Sequence, residues 1–272
     1  DAARLAAGLA VNLTSLHDIG PGDRVALALP NSSDWIIAFI AITSIGATPA
    51  LINARSSEEE LEHCISTTHC VFAFSDRPLP VDIPAIGSRE TWGELAQDAS
   101  LSMTILEGGD EALLMFTSGT TGMPKGALIS HRAMVARALI FATETGAPKD
   151  DTFIAWSPLF HMGSNDFTLA TLLRGGQIVI IDGYDADKMI DAIEEYAVHY
   201  VTVVPGMIED FITHFKARDA KPKPIGLIGA MADLVPRPLL KEITTLLNAP
   251  YFNTFGSTET GNPPASASLI PV

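Results

Sequence analysis

The sequence predicts an α/β fold built on two largely parallel sheets flanked by helices. Three observations carry that expectation. Apolar runs of strand length alternate with helical stretches of roughly 10–15 residues, the pattern of βαβ units. Strand-type runs number roughly ten, many for one open sheet. A polar segment, "TGAPKDD" at 145–151, divides them. The expected organisation is a first sheet subdomain over 18–146 and a second over 147–264, with the opening helix, 2–16, packing on the second.

Each element has a local reason. Residues 2–16 space their apolar side chains as an amphipathic helix does. "RVALALP" (24–30) is a buried strand ended by proline. In "SSDWIIAFIAITSIG" a helix is capped by Ser32 or Ser33 and stopped by Gly46. "TPALI" is a strand. "SSEEELEHCISTT" (56–68) is a helix with a capping-box opening and glutamates in its first turn, where the dipole favours them. "CVFAFS" (70–75) is the next strand, and 76–110, rich in Pro, Gly and Asp, is a loop with one short helix near Trp92. "ALLMFTS" (112–118) and "GALIS" (126–130) are strands around a polar loop, and 131–144 is a helix capped by Ser130. The strands "TFIAWSP", "GGQIVIID", "HYVTVVP", "PIGLIG" and "APYFNTFG" follow, separated by helices near 163–173, 185–197, 206–217 and 236–247. There is no internal repeat.

Composition narrows the function classes. With 272 residues, 47% of them hydrophobic, the chain can bury a large core. A net charge of −15 repels nucleic acid and anionic lipid. It leaves room for a phosphorylated small molecule, since a nest of backbone N–H groups binds anions even in an acidic protein. Two cysteines, Cys64 and Cys70, fit a reducing compartment, so a cytoplasmic location is expected. The apolar run 35–42 is far too short to span a bilayer. The chain opens inside a helical pattern without an initiator Met and ends abruptly at "SASLIPV", so it reads as a piece of a longer protein. His63, Cys64, His69 and Cys70 look like zinc ligands, but adjacent His–Cys pairs match no standard zinc spacing, and a helix end beside a buried strand is the better reading.

The loop in "LLMFTSGTTGMPKGALIS" (113–130) carries the chemistry. Ligands of open parallel sheets bind beyond the carboxyl ends of strands. Gly119, Gly122 and Gly126 let backbone N–H groups face one point, Thr117, Ser118, Thr120 and Thr121 add hydroxyls, and Lys125 adds a mobile positive charge. Together they describe a polyphosphate cradle. The P-loop pattern GxxxxGK[ST] does not fit, and the loop returns into a strand rather than a helix. On composition alone a flexible surface turn is the favoured reading, but the full string is much less common than such turns.

The string "TSGTTGMPKG" resembles the signature loop of the adenylate-forming (AMP-binding) superfamily, which includes acyl- and aryl-CoA ligases, adenylation domains of peptide synthetases and beetle luciferase. Other landmarks of that family occur in order: "IGATPALINARSSEEEL" (45–61), "SPLFHMGS" (157–164), "GLIGAMADLVP" (226–236) and "NTFGSTETG" (253–261). Two departures stand out. Gly229 is single where two glycines are usual, and Phe255 replaces a tyrosine, keeping the ring and losing the hydroxyl.

The resemblance implies a layered αβαβα large domain, from which the family's small C-terminal lid domain is absent. It implies activation of a carboxylic acid by ATP to an acyl-adenylate, with pyrophosphate released, then transfer to CoA; "PLFH" favours CoA as acceptor. Thr117 to Gly122 and Lys125 would hold the β- and γ-phosphates. Thr258 would donate to the α-phosphate and Glu259 would bind Mg²⁺. Phe255, Gly256, Thr254 and the turn Gly229–Ala230–Met231 would wall the adenine, with Asn253 at its edge. His161 would lie near the incoming carboxylate, and Val204, Gly229, Gly256 and Asn262 would line the acid pocket. Thr258, Glu259, His161 and Lys125 would thus be the catalytic set. Partners would be the acid, ATP and CoA, with a homodimer allowed. The alternatives are a domain loading an amino or aryl acid onto a carrier, for which Asp210 and Asp233 are poorly placed amine anchors, and a nucleotide-binding module without catalysis. Glu259 read alone is a solvated carboxylate, His161 a core histidine and Phe255 core packing. Without the lid and its lysine, the 272-residue chain is expected to be a very poor ligase by itself.

Overall fold

The computed structural model describes residues 1–96, 99–117, 122–229, 231–253, 255–263 and 268–272. The chain forms two compact units, residues 1–134 with 158–161, and residues 135–157 with 162–272.

The first unit opens with α1 (Ala2–His17), β1 (Arg24–Ala28), α2 (Ser33–Ser44), β2 (Thr48–Leu51), α3 (Glu58–Thr67) and β3 (Phe72–Ser75). It continues with β4 (Ala85–Ile86), β5 (Glu111–Thr117) and β6 (Lys125–Ser130). Its described strands lie in the order β4-β3-β1-β2-β5-β6, all parallel except the β5–β6 pair. Strands β2 and β3 are buried throughout and β1 beyond Arg24, which is why they read as unbroken apolar runs rather than alternating ones. The caps follow the sequence. Ser32 Oγ accepts from Trp35 N at 3.1 Å. Ser57 and Glu60 close a full capping box, with Glu60 N donating to Ser57 Oγ at 3.1 Å and Ser57 N to Glu60 Oε2 at 3.2 Å. Gly46, at φ +79°, ends the α2 turn.

The second unit contains most of α4 (His131–Thr145), then β7 (Thr152–Ala155), α5 (Met162–Leu173), β8 (Gln177–Ile180), α6 (Ala186–Glu195) and β9 (Val198–Val201). It ends with α7 (Ile208–Ala217), β10 (Ile225–Ile228), α8 (Arg237–Leu247), β11 (Tyr251–Asn253) and β12 (Ser268–Ile270). The described order is β12-β11-β10-β9-β7-β8, parallel except for β12. Its core joins buried side chains of β9, α6 and α7 with Ile228, Ile243 and Tyr251.

The structure departs from the expected organisation in three places. Helix α1 belongs to the first unit, not the second sheet. It lies against α2, and Asn12 Nδ2 donates to the carbonyls of Trp92 and Glu94 at 3.1 and 3.2 Å. The division between units falls inside α4 rather than at 145–151, because β6 passes into α4 without a linker and Phe141 packs on Phe167, Tyr200 and Phe252 of the second unit. Strands β4 and β12 are additions, two and three residues long at sheet edges, too short to register as a periodic pattern.

Candidate active site

The segment between β5 and β6 follows the carboxyl end of β5, the end at which ligands of open parallel sheets bind. Ser118, Gly119, Thr120 and Thr121 lie outside the described residues. The base of the loop is defined. Thr117 pairs with Lys125 across β5 and β6, and Thr117 Oγ1 donates to the Lys125 carbonyl at 3.4 Å. Gly122 and the first residues of β6, Lys125 and Gly126, are exposed. His63, read above as a mistaken zinc ligand, lies 2.9 Å through Nε2 from the carbonyl of Pro124. A carbonyl only accepts, so His63 carries its proton on Nε2 in this contact. Nothing in the pattern of α3 signals this role. Cys64 and Cys70 are both free and buried, with burial pushing Cys64 up to about 12 and Cys70 up to about 11. Among the described residues no group of three or more His, Cys, Asp or Glu side chains is placed to hold a metal ion.

His161 also belongs to the first unit. Its N–H donates to the Pro158 carbonyl at 2.9 Å, closing the turn before α5. The residue is exposed rather than a core histidine, yet the protein around its ring lowers its pKa below the ordinary value by desolvation. It is therefore neutral at pH 7.

In the second unit the remaining candidates occupy strand carboxyl ends. Gly229 follows β10 at φ +82°. Its N–H donates to the Val201 carbonyl at 2.9 Å and its carbonyl accepts from the buried Tyr200 hydroxyl at 2.6 Å. A Cβ at this position would lie 2.0 Å from Tyr251 Cζ, so only glycine fits. Met231 continues the turn in the left-handed region at φ 54°, a conformation that is costly for a non-glycine residue. Asn253 Oδ1 accepts from Ala232 N at 3.0 Å, so the asparagine holds this turn. Val204 is half-buried and packs against the core, with its carbonyl accepting from Met207 N at 2.9 Å. Ala230 and Thr254 lie outside the described residues.

The turn 255–262 carries the other candidates. Ser257 and Gly261 exchange backbone hydrogen bonds at 3.2 and 2.8 Å. Phe255 is 69% exposed, so it is not core packing. Glu259 is exposed and makes no ion pair or hydrogen bond among the described residues. Gly256 and Asn262 are brought together: a Cβ on Gly256 would meet Asn262 Oδ1 at 2.3 Å and Met162 Cε at 3.2 Å. Asp210, weighed above as an amine anchor, accepts from the Tyr184 hydroxyl at 3.1 Å and lies 3.7 Å from His214 Nε2.

Two residues of this region were missed. Arg137 on α4 and Asp166 on α5 lie beside the turn, with Arg137 Nη1 3.5 Å from Asp166 Oδ2. The available signal was a charge on a buried stripe, since Arg137 shares the inner face of α4 with Ala138 and Phe141. Burial pushes Asp166 up to about 6 from 3.8, against the pull of Arg137. The folded chain therefore holds the Asp166 proton to higher pH than the unfolded chain. The sign follows: ionising Asp166 costs the fold stability progressively as pH rises from about 4 to about 6. A shift of about 2 units corresponds to about 3 kcal/mol as an upper figure. In urea titrations over that range, the stability of wild type relative to Asp166→Asn is expected to fall as pH rises. Parallel pH profiles would refute the shift.

The family model for AMP-binding enzymes matches residues 1–265. This chain belongs to the AMP-binding enzyme family. Among curated AMP-binding relatives, a 2-succinylbenzoate–CoA ligase of Bacillus cereus is 28% identical over 243 residues, covering 89% of this chain and 50% of the relative. The chain thus spans about half the length of the curated relatives it matches. The N-terminal subdomain of NpsA from Klebsiella oxytoca, in complex with 3-hydroxybenzoyl-AMSN, superposes with a TM-score of 0.83 at 24% identity, covering 99% of this chain and 68% of that one. The o-succinylbenzoate CoA synthetase of Bacillus subtilis in complex with ATP and magnesium ion superposes with a TM-score of 0.80 at 23% identity, covering 94% and 54%. At those identities the superpositions establish the shared AMP-binding fold. Among the described residues, no helix is long and apolar enough to cross a membrane.

Proposed function

We propose that this chain is the ATP- and acid-binding part of an acid–CoA ligase, and that the whole protein is longer. The observation that carries the proposal is the string "TSGTTGMPKG" at the carboxyl end of β5 in a chain of the AMP-binding family. A carboxylate oxygen of the acid attacks the α-phosphorus of ATP, the bond to the β-phosphate breaks, and pyrophosphate leaves. Both reactants are anions, so the site must offer positive charge and fixed donors. Thr117 to Gly122 and Lys125 take the β- and γ-phosphates. Thr258 donates to the α-phosphate. Phe255, Gly256, Thr254 and the turn Gly229–Ala230–Met231 flank the adenine, with Asn253 setting the turn's shape. His161, neutral at pH 7, stands near the carboxylate without competing for its charge. Val204, Gly229, Gly256 and Asn262 line the acid pocket.

The fit to magnesium rests on chemistry. Glu259 offers hard, solvent-facing carboxylate oxygens unclaimed by any described cation, and a hard divalent ion prefers such a ligand with phosphate oxygens and waters. When bound, magnesium would neutralise phosphate charge. The CoA thiol then displaces AMP from the acyl carbon. The CoA ligases among the relatives support CoA as acceptor. An amino acid substrate is disfavoured, because Asp210 is engaged by Tyr184 and His214.

The test is acid-dependent ATP–pyrophosphate exchange by the whole protein over aliphatic, aryl and amino acids. Exchange with one acid class is expected. ATP binding without exchange for any acid would favour a nucleotide-binding module without catalysis.

A further inference from the structure

Arg137 has a buried guanidinium, with its side chain 7% exposed, and such a charge is costly unless its donors are used. They are used on the 257–261 turn. Nη2 donates to the Thr258 carbonyl at 3.0 Å, while Nη1 faces Asp166 Oδ2 at 3.5 Å. Gly261, at φ +64°, lies directly against the same side chain, and a Cβ there would stand 2.8 Å from Arg137 Cδ and Nε. The turn is therefore closed on itself by the Ser257–Gly261 pair and seated on the arginine.

We propose that Arg137, held by Asp166, is a positioning residue that fixes the 257–261 turn and so aims Thr258 and Glu259. The inference rests on the proposed role of that turn toward phosphate and magnesium. The physical link is the planar peptide: pinning the Thr258 carbonyl also sets the Glu259 N–Cα bond, because the two share one rigid unit. A guanidinium can serve the carbonyl and the carboxylate at once from separate nitrogens, whereas a lysine ammonium is a single point charge. Gly261 is then required by the close approach of Arg137 as well as by its own backbone conformation.

The test uses the whole protein with Arg137→Met, Arg137→Lys and Asp166→Asn, and Glu259→Gln as the reference. ATP affinity is measured with magnesium and with EDTA, and amide hydrogen exchange at 257–261 is followed without ligand. Wild type is expected to bind ATP about tenfold more tightly with magnesium, and Glu259→Gln and Arg137→Met to lose that gain, with affinity in EDTA within about twofold of wild type in Glu259→Gln and about threefold weaker in Arg137→Met, where Thr258 is misaimed as well. Exchange at 257–261 is expected to speed about tenfold in Arg137→Met and less in Arg137→Lys. If Arg137→Met does not fold, Asp166→Asn decides, with about threefold effects on both readouts expected. A variant that only melts earlier, with magnesium gain and exchange unchanged, overturns the inference. A gain lost in Glu259→Gln but kept in Arg137→Met overturns it alone, leaving the proposed function standing. No gain in wild type overturns the metal role of Glu259 and this inference together.

Discussion

Glu259→Gln is expected to lower acid-dependent ATP–pyrophosphate exchange by about 10²–10³-fold, the usual cost of removing one preorganised electrostatic group from a charged transition state. Glutamine keeps the length and shape of the side chain and removes only its charge. Glu259 is exposed and takes no ion pair or hydrogen bond among the described residues. Nothing in the described fold therefore depends on that charge, and the melting temperature should stay within about 2 °C of wild type, as for surface changes away from structural features. Exchange rate and melting temperature, measured on the same preparation, separate the two effects. Raised magnesium should recover part of the rate, since a weaker ligand is offset by mass action. Wild-type exchange in the glutamine variant would remove Glu259 from the proposed machinery.

Gly229→Ala is expected to destabilise the chain by about 2–4 kcal/mol, the sum of overpacking and an incompatible backbone conformation. The position is at φ +82°, and a Cβ would lie within 2.5 Å of three ring atoms of Tyr251. That ring is 0% exposed within the second unit's core and has nowhere to go. The Gly229 carbonyl also takes the hydroxyl of Tyr200, so backbone displacement would strand a buried donor. Gly206→Ala is the control: a Cβ there meets nothing within 4 Å, and its effect should stay within about 0.5 kcal/mol. Urea midpoints of the two variants test the contrast. Equal midpoints would mean that the Tyr251 contact does not constrain the turn. The single glycine of "GLIGAMADLVP" is thus a packing requirement first, and Met231 continues the turn in a left-handed conformation without a second glycine.

Most of the elements, the two-sheet class and the family landmarks were legible in the chain, because each is written in neighbouring residues. The Ser57–Glu60 capping box and the Ser32 cap act through contacts a few positions apart, and the apolar runs of strand length and the ten-residue string are contiguous, so a linear pattern records them. Which elements meet was set by long-range packing. It put α1 on α2, placed the division inside α4, and added the short edge strands β4 and β12. It also brought His63 to Pro124 across 61 positions, and Arg137 to Asp166 across 29 and to Thr258 across 121. Such pairings leave no local trace, because they are chosen by burial and by the need of a buried charge or carbonyl to find a partner wherever the fold supplies one.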